Sequence, residues 1–249
     1  MFRLFIAIFS VIFTSAIGAS AQAALVSTQY ESAVPAVYAN GGGGGFGGTL
    51  GNGSISMDVV GTDLVISFTP GNAFNDIVGL FLDTRSGGFL DADMRDHADG
   101  GRTVLSELTL TQDDVYPVGL VPDFGLAIGN FGSVLFELNA GNTDGHLNFL
   151  QFNAAPTINI PLASLGNPAQ IDFFAGYASG GGYNSNESMP ASVINGSGNP
   201  GFGDGQFGGL LTGGTYDNFN RFVIVPEPSV LALTSLLLMA FSTAAKRRR

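Results

Sequence analysis

A cluster of aspartates in the first half of the chain has the composition of a metal-binding loop. Four of them fall within the nine residues from 91 to 99, glycine pairs flank the cluster, and a fifth aspartate precedes it. Ca²⁺ takes roughly six to eight oxygen ligands in a flexible arrangement, and so many unpaired carboxylates would repel one another. The sequence therefore predicts a calcium site or, alternatively, a solvated acidic loop. The five predicted ligands are Asp83, Asp91, Asp93, Asp96 and Asp99.

Residues that could catalyse hydrolysis are few and do not form a recognisable motif. The two histidines, His97 and His146, lack the four-residue spacing of a helical zinc-binding pair. The sequence contains no Gly-x-Ser-x-Gly nucleophile elbow. Glycosidases use two carboxylates, but nothing distinguishes a pair such as Glu107 and Glu137 from the other acids. The sequence therefore predicts no catalytic residues and a protein that is not an enzyme.

Aromatic side chains in glycine-rich segments could stack against sugar rings. The chain has no tryptophan, and its 21 phenylalanines are expected mostly in the core, where this residue type is usually buried. Tyrosine combines a flat apolar ring with a polar hydroxyl, and three tyrosines lie in or beside glycine-rich sequence in the second half. The predicted ligand-binding residues are Tyr177, Tyr183 and Tyr216.

Short apolar runs separated by Gly, Asn and Pro turns predict the elements that position these residues. Ile55, Met57 and Val59 alternate with polar residues, and the alternation resumes over 64–68 after a Gly-Thr-Asp turn, which predicts a hairpin. Ile77–Leu82 is a continuous apolar run, typical of a strand buried on both faces. Further strands are predicted at 105–110, 126–128, 134–138, 147–152, 158–162, 171–177 and 219–225.

This pattern of short strands and turns indicates an all-β fold. We expect a single β-sandwich or jelly-roll-like domain over residues 24–225, with no amphipathic helix of convincing length. The glycine-rich segments 41–53 and 180–214 are predicted to be loops within it.

The charge of the body limits the partners it can bind. Five of the nine basic residues lie at the two ends. The body therefore has four arginines and 20 acidic residues, which give it a net charge of −16. Such a surface repels nucleic acid and anionic lipid and suits cations or neutral polymers. The chain has no cysteine, so disulfides do not contribute to its stability.

The N-terminus has the composition of a signal peptide over residues 1–23. Arg3 is followed by an apolar stretch that is too short for a confident membrane span. Small residues then occur at alternate positions, with Ala21 and Ala23 as the two candidate cleavage positions. We expect cleavage after Ala23 and export of the chain.

The C-terminus, residues 226–249, has three parts. Pro226, Glu227 and Pro228 come first, an apolar segment that predicts a transmembrane helix follows at 230–245, and Lys246–Arg249 closes the chain. The two prolines keep the backbone extended, and the basic cluster is expected to stay in the cytoplasm.

This three-part C-terminus resembles the PEP-CTERM sorting signal of Gram-negative bacteria. The resemblance implies processing near the motif by an exosortase, and such systems accompany exopolysaccharide and biofilm formation. The body is also similar to secreted bacterial β-rich proteins of unknown function, through the strand and Gly-Gly-Phe loop of Asp76–Phe89 and through Asp123–Ile128. That second resemblance implies no activity.

Together these features predict an exported cell-envelope or extracellular-matrix protein with an exosortase as its processing partner. We expect transient anchoring in the inner membrane, then a place at the cell surface or in the matrix, with extracellular polysaccharide as ligand and no nucleic-acid partner. Two alternatives stay open: a secreted polysaccharide hydrolase, and a purely structural surface protein stabilised by Ca²⁺.

Overall fold

The computed structural model describes residues 54–70, 74–89, 94–109, 119–189 and 219–224. The chain divides into two compact units, and all of these residues belong to the unit Ser27–Ile224. The predicted signal peptide with its cleavage positions, the first glycine-rich loop and everything from residue 225 onwards lie outside the described residues. Asp91, Asp93 and Tyr216 also lie outside them. Among the described residues, no helix has the length and apolar character needed to span a bilayer.

β-Strands dominate the described part of the chain, which confirms the prediction of a strand-rich body. One α-helix and one 3-10 helix lie among them. In chain order the elements are β1 Ser54–Val60, β2 Asp63–Thr69, β3 Ile77–Asp83, α1 Gly100–Thr109, β4 Phe124–Gly129, β5 Gly132–Glu137, β6 Asn148–Asn153, β7 Thr157–Pro161, the 3-10 helix Leu162–Leu165, β8 Gln170–Ala178, β9 Asn184–Met189 and β10 Asn220–Val223.

Strands β1, β2 and β7 form a three-stranded antiparallel sheet in that order. The predicted hairpin is confirmed, since Val60 pairs with Asp63 across a two-residue turn. Gly61 in this turn has a φ of 65°, a left-handed conformation that glycine adopts without strain and that matches the twist of a tight hairpin.

The larger sheet is antiparallel and has the order β10-β8-β3-β4-β5-β6. Strands β9 and β10 both pair with β8, one after the other along the edge opposite β3. Strand β9 falls within the segment predicted to be a loop, so that prediction is wrong for residues 184–189. Its polar sequence shows no apolar alternation, and its place in the sheet comes from pairing with β8.

The central strand β3 is covered on both faces, as its uninterrupted apolar sequence predicts. Leu80 belongs to a core that the large sheet shares with the three-stranded sheet. Phe81, on the opposite face, belongs to a second core shared with helix α1. Each fully buried large apolar side chain contributes about 1.5–3 kcal/mol, so both interfaces stabilise the fold. The described unit thus has three layers: the small sheet, the large sheet and the helix.

Helix α1 replaces the strand that the sequence predicts at 105–110. Val104, Leu105 and Leu108 have the i, i+1, i+4 spacing of an apolar helix face, and all three are buried against the large sheet. Because the segment is short, its apolar residues fit a strand as well as a helix. The sheet surface on which it packs decides between the two.

Candidate ligand-binding groove

Asp96, a predicted calcium ligand, organises the backbone around it. Its fully buried carboxylate accepts hydrogen bonds from the N–H groups of Gly145 at 2.8 Å, Ala98 at 3.1 Å and Leu147 at 2.9 Å. The guanidinium Nε of Arg102 lies 3.3 Å away, an ion-pair contact without hydrogen-bond geometry. These contacts join the segment before α1 to the loop between β5 and β6.

Asp99, another predicted ligand, caps the N-terminus of α1. Its Oδ1 accepts a hydrogen bond from the N–H of Arg102 at 2.9 Å, and its backbone carbonyl accepts one from the N–H of Thr103 at 2.9 Å. The Arg102 guanidinium also pairs with the Asp99 carboxylate. Aspartate is a preferred capping residue because it satisfies N–H groups that have no partner inside the helix.

Asp83, the third described member, lies at the end of β3. Its Oδ2 accepts a hydrogen bond from the N–H of Val121 at 3.0 Å, and Asp172 on β8 is directly opposite. Burial is the main cause of a raised pKa of the Asp83 carboxyl, and the negative charges of Asp123 and Asp172 raise this pKa further. The hydrogen bond from Val121 and the positive charge of Arg221 lower it, but the net shift is upward. Arg221 makes bonds of 2.6 and 2.7 Å to Asp172.

The three described aspartates therefore hold separate backbone segments. Within the described ranges no three acidic or histidine side chains are arranged to hold a metal ion. The predicted five-aspartate site is thus not formed by Asp83, Asp96 and Asp99, because backbone N–H groups and arginines occupy these carboxylates. Its other two members are outside the described residues.

The predicted sugar-stacking tyrosines have different environments. Tyr177 is fully buried between the two sheets, and its hydroxyl accepts a hydrogen bond from the N–H of Asp76 at 3.2 Å. A buried ring presents no face to a ligand, so the prediction is wrong for this residue. Tyr183 is half-buried and closes a turn with Ser179, whose N–H donates to the Tyr183 carbonyl at 3.0 Å.

The acidic residues considered for hydrolysis also occupy separate sites. Glu107 lies on α1, fully buried, with its Oε1 3.2 Å from Nε2 of His97. It therefore lies on a helix and not on the strand predicted at 105–110. Glu137 lies at the end of β5 and pairs with Arg85 at 3.3 Å, while Arg85 also contacts Asp123 at 3.3 Å.

A groove of about 430 Å³ lies between the first turn of α1 and strands β5 and β6. Four of its ten lining residues are aromatic: Phe131 comes from the β4–β5 turn, Phe136 from β5, and Phe149 and Phe152 from β6. Three of these rings remain between 43% and 56% exposed, whereas Phe136 is buried at the base. A concave apolar surface with a few polar groups is the usual form of a ligand site.

A β-bulge places two of the rings side by side. Phe136 on β5 pairs with Phe149, but Leu135 pairs with Gln151, so β6 contains one extra residue between the two pairs. Without it, residues three apart in a strand would face opposite sides of the sheet. With it, Phe149 and Phe152 both face the groove, which is one of the ways in which bulges redirect side chains.

Asp99 and Arg102 form the polar end of the groove. The Arg102 guanidinium lies 4.7 Å from the centre of the Phe136 ring. Its Nε is also 3.3 Å from Oδ2 of Asp96. The first turn of α1 sits close to the sheet, where a Cβ atom at Gly101 would lie 3.1 Å from the Ala127 Cβ. These contacts fix the position of the polar groups relative to the rings.

The groove was missed by sequence reasoning, which assigned the phenylalanines to the core. One signal was present: residues 148–153 read Asn-Phe-Leu-Gln-Phe-Asn, and their apolar positions do not alternate as in a strand with one buried face. Comparisons with known protein families, curated proteins and solved structures give no match for this chain.

Proposed function

We propose that this chain is an exported envelope or matrix protein, sorted by an exosortase, whose groove holds a polysaccharide chain without cleaving it. The proposed scaffold is a β-sandwich of the small and large sheets, with helix α1 on the outer face of the large sheet. The observation that carries the binding proposal is the set of exposed phenylalanine rings in the groove.

Exposed rings of this kind suit a carbohydrate ligand. Phe131, Phe149 and Phe152 keep large apolar surfaces in water, and a contiguous apolar patch of this kind marks an interaction site. Pyranose rings have flat faces with polarised C–H groups, which match the negative face of an aromatic ring. Stacking removes both apolar surfaces from water, while the sugar hydroxyls remain free to bond with polar neighbours.

The charge of the body supports a ligand without strong negative charge. The net charge of −16 on the body disfavours the binding of nucleic acid and of strongly anionic polymers. A neutral or weakly acidic polysaccharide meets no such repulsion.

Binding without cleavage is supported by the polar groups of the groove. Glycosidases place two carboxyl groups on either side of the scissile bond. Among the described residues that line the groove, Asp99 supplies a single carboxylate, and that carboxylate caps helix α1.

The proposed place of action depends on the C-terminus. The motif at Pro226–Pro228, the apolar segment and the terminal basic residues resemble a signal of polysaccharide-producing systems. Sorting to the surface or matrix would bring the groove to its ligand.

Retention on matrix polysaccharide tests the proposal. The protein, purified from the cells that export it, is incubated with their insoluble exopolysaccharide and sedimented. Phe149→Ala and Phe152→Ala are expected to show reduced retention, whereas Leu150→Ala, on the same strand but outside the groove lining, is expected to be retained as wild type is. Equal retention of all three variants would contradict the proposal, and release of oligosaccharides would show an enzyme.

A further inference from the structure

We infer that Asp99 makes the groove selective for uncharged sugars, by accepting hydrogen bonds from their hydroxyl groups. This inference rests on the proposed polysaccharide-binding function. It concerns the preference for neutral over acidic sugars, because stacking on the aromatic rings alone does not distinguish between them.

Asp99 retains the capacity to accept further hydrogen bonds. An ionised carboxylate offers about four acceptor positions. In this structure Oδ1 accepts the N–H of Arg102 at 2.9 Å, and Oδ2 accepts the Arg102 guanidinium. The side chain is 47% exposed and lines the groove, so the carboxylate is accessible to a ligand in the groove. Sugar hydroxyls are the donors that such a carboxylate can hold.

The positive charge of the neighbouring arginine is already offset by two carboxylates. Arg102 lies between the carboxylates of Asp96 and Asp99 and stacks on Phe136, and it is only 18% exposed. One positive and two negative charges give these three side chains a net charge of −1. A uronic acid in the groove would face that negative charge.

The orientation of Asp99 is set by the fold. Because it caps α1 through its side chain and through its backbone carbonyl, its position relative to the phenylalanine rings does not depend on the ligand. A group held in this way loses little conformational entropy on binding. Asp99 can therefore discriminate between neutral and acidic sugars, because its side chain does not rearrange to accept either one.

Asp99→Asn tests this role, because asparagine is also a preferred capping residue and keeps the helix start while removing the charge. The exopolysaccharide of the exporting cells is separated by anion exchange into neutral and acidic fractions, and binding of each is measured by calorimetry. We expect wild type to prefer the neutral fraction. The variant should bind that fraction roughly tenfold more weakly, since charge-assisted hydrogen bonds are worth more than neutral ones, and it should lose the discrimination against the acidic fraction.

Controls separate this inference from the proposal on which it rests. Asp63→Asn on β2 removes one negative charge outside the groove lining and should leave the preference unchanged. Asp99→Ser, with another preferred cap, repeats the test if the asparagine variant has a lowered melting temperature. If Asp99→Asn binds both fractions as wild type does while Phe149→Ala loses binding, Asp99 is not the selective group and the binding function stands. A wild-type preference for the acidic fraction also overturns the inference. If wild type binds neither fraction, both proposals fail.

Discussion

Gly79 on β3 lies directly opposite Gly176 on β8, and the side chain of Leu108 occupies the space above both. A Cβ atom would lie 2.7 Å from the Leu108 Cδ1 at position 79 and 2.8 Å from Cδ2 at position 176. Leu108 is fully buried at this point. Helix α1 therefore packs closely on the large sheet where two adjoining strands each carry a glycine, and Leu108 in its last turn fills the space above them.

Gly176→Ala is expected to lower the free energy of unfolding by about 1–3 kcal/mol, the usual cost of an extra carbon in a packed core. Urea denaturation measures it. Gly180→Ala is the matched control, because the nearest atom to its added Cβ is 3.9 Å away. The double variant with Leu108→Ala should show coupling, since the shortened side chain makes room. Additive effects would mean that Leu108 does not define this space.

Asp96→Asn is expected to lower the free energy of unfolding by about 1–3 kcal/mol or more, because an amide NH₂ would face a backbone N–H that now donates to the carboxylate. Thermal unfolding measures it, with Asp63→Asn as the control for loss of one charge. Since backbone N–H groups occupy the carboxylate, adding Ca²⁺ or a chelator should leave this difference unchanged. A difference that appears only with Ca²⁺ would restore a metal role for Asp96.

Asp83→Asn is expected to raise the melting temperature near neutral pH. The folded-state pKa of Asp83 is raised, mainly by burial, from an ordinary value of 3.8. A raised pKa means that the folded state binds the proton more tightly, so the stabilisation is present in acid and is lost as pH rises through the folded-state pKa. The variant should therefore gain over wild type at pH 7 and lose this gain in acid. A gain independent of pH would assign the effect to another cause.

Phe149→Ala and Phe152→Ala are expected to weaken polysaccharide binding with little effect on stability. Each side chain is more than half exposed, so truncation removes little buried area. Losing one stacking ring should reduce affinity roughly five- to tenfold, if stacking is worth about 1–1.5 kcal/mol as for aromatic pairs. Calorimetry gives the affinity and differential scanning fluorimetry the stability. A large fall in melting temperature would show that the rings serve packing.

The mature protein is expected to lack both residues 1–23 and the basic end Lys246–Arg249. The predicted signal peptide and the three-part C-terminus support this expectation. Intact-mass measurement of protein from the exporting cells checks it. A mature species that retains Arg249 would contradict exosortase processing and leave a single-span anchor.

Local patterns in the sequence determined most of the strands. Period-two alternation predicts β1 and β2 with their turn, and an uninterrupted apolar run predicts β3, because each pattern depends only on which faces are buried. Such patterns fail where the element is short or polar. Helix α1 has ten residues whose apolar positions fit two periods, and β9 has almost no apolar residues. The sheet surface on which α1 packs and the pairing of β9 with β8 decided them.

The groove was decided entirely by tertiary structure. Composition predicts that the phenylalanines lie in the core, because this residue type is usually buried. It therefore favours tyrosines and aspartates as ligand-binding residues. The bulge opposite Leu135 turns Phe149 and Phe152 to one face, and the paired glycines Gly79 and Gly176 leave room for Leu108 of α1 against the large sheet. Both are relations between distant segments, and the broken alternation of residues 148–153 does not by itself show which strand they pair with or in which register.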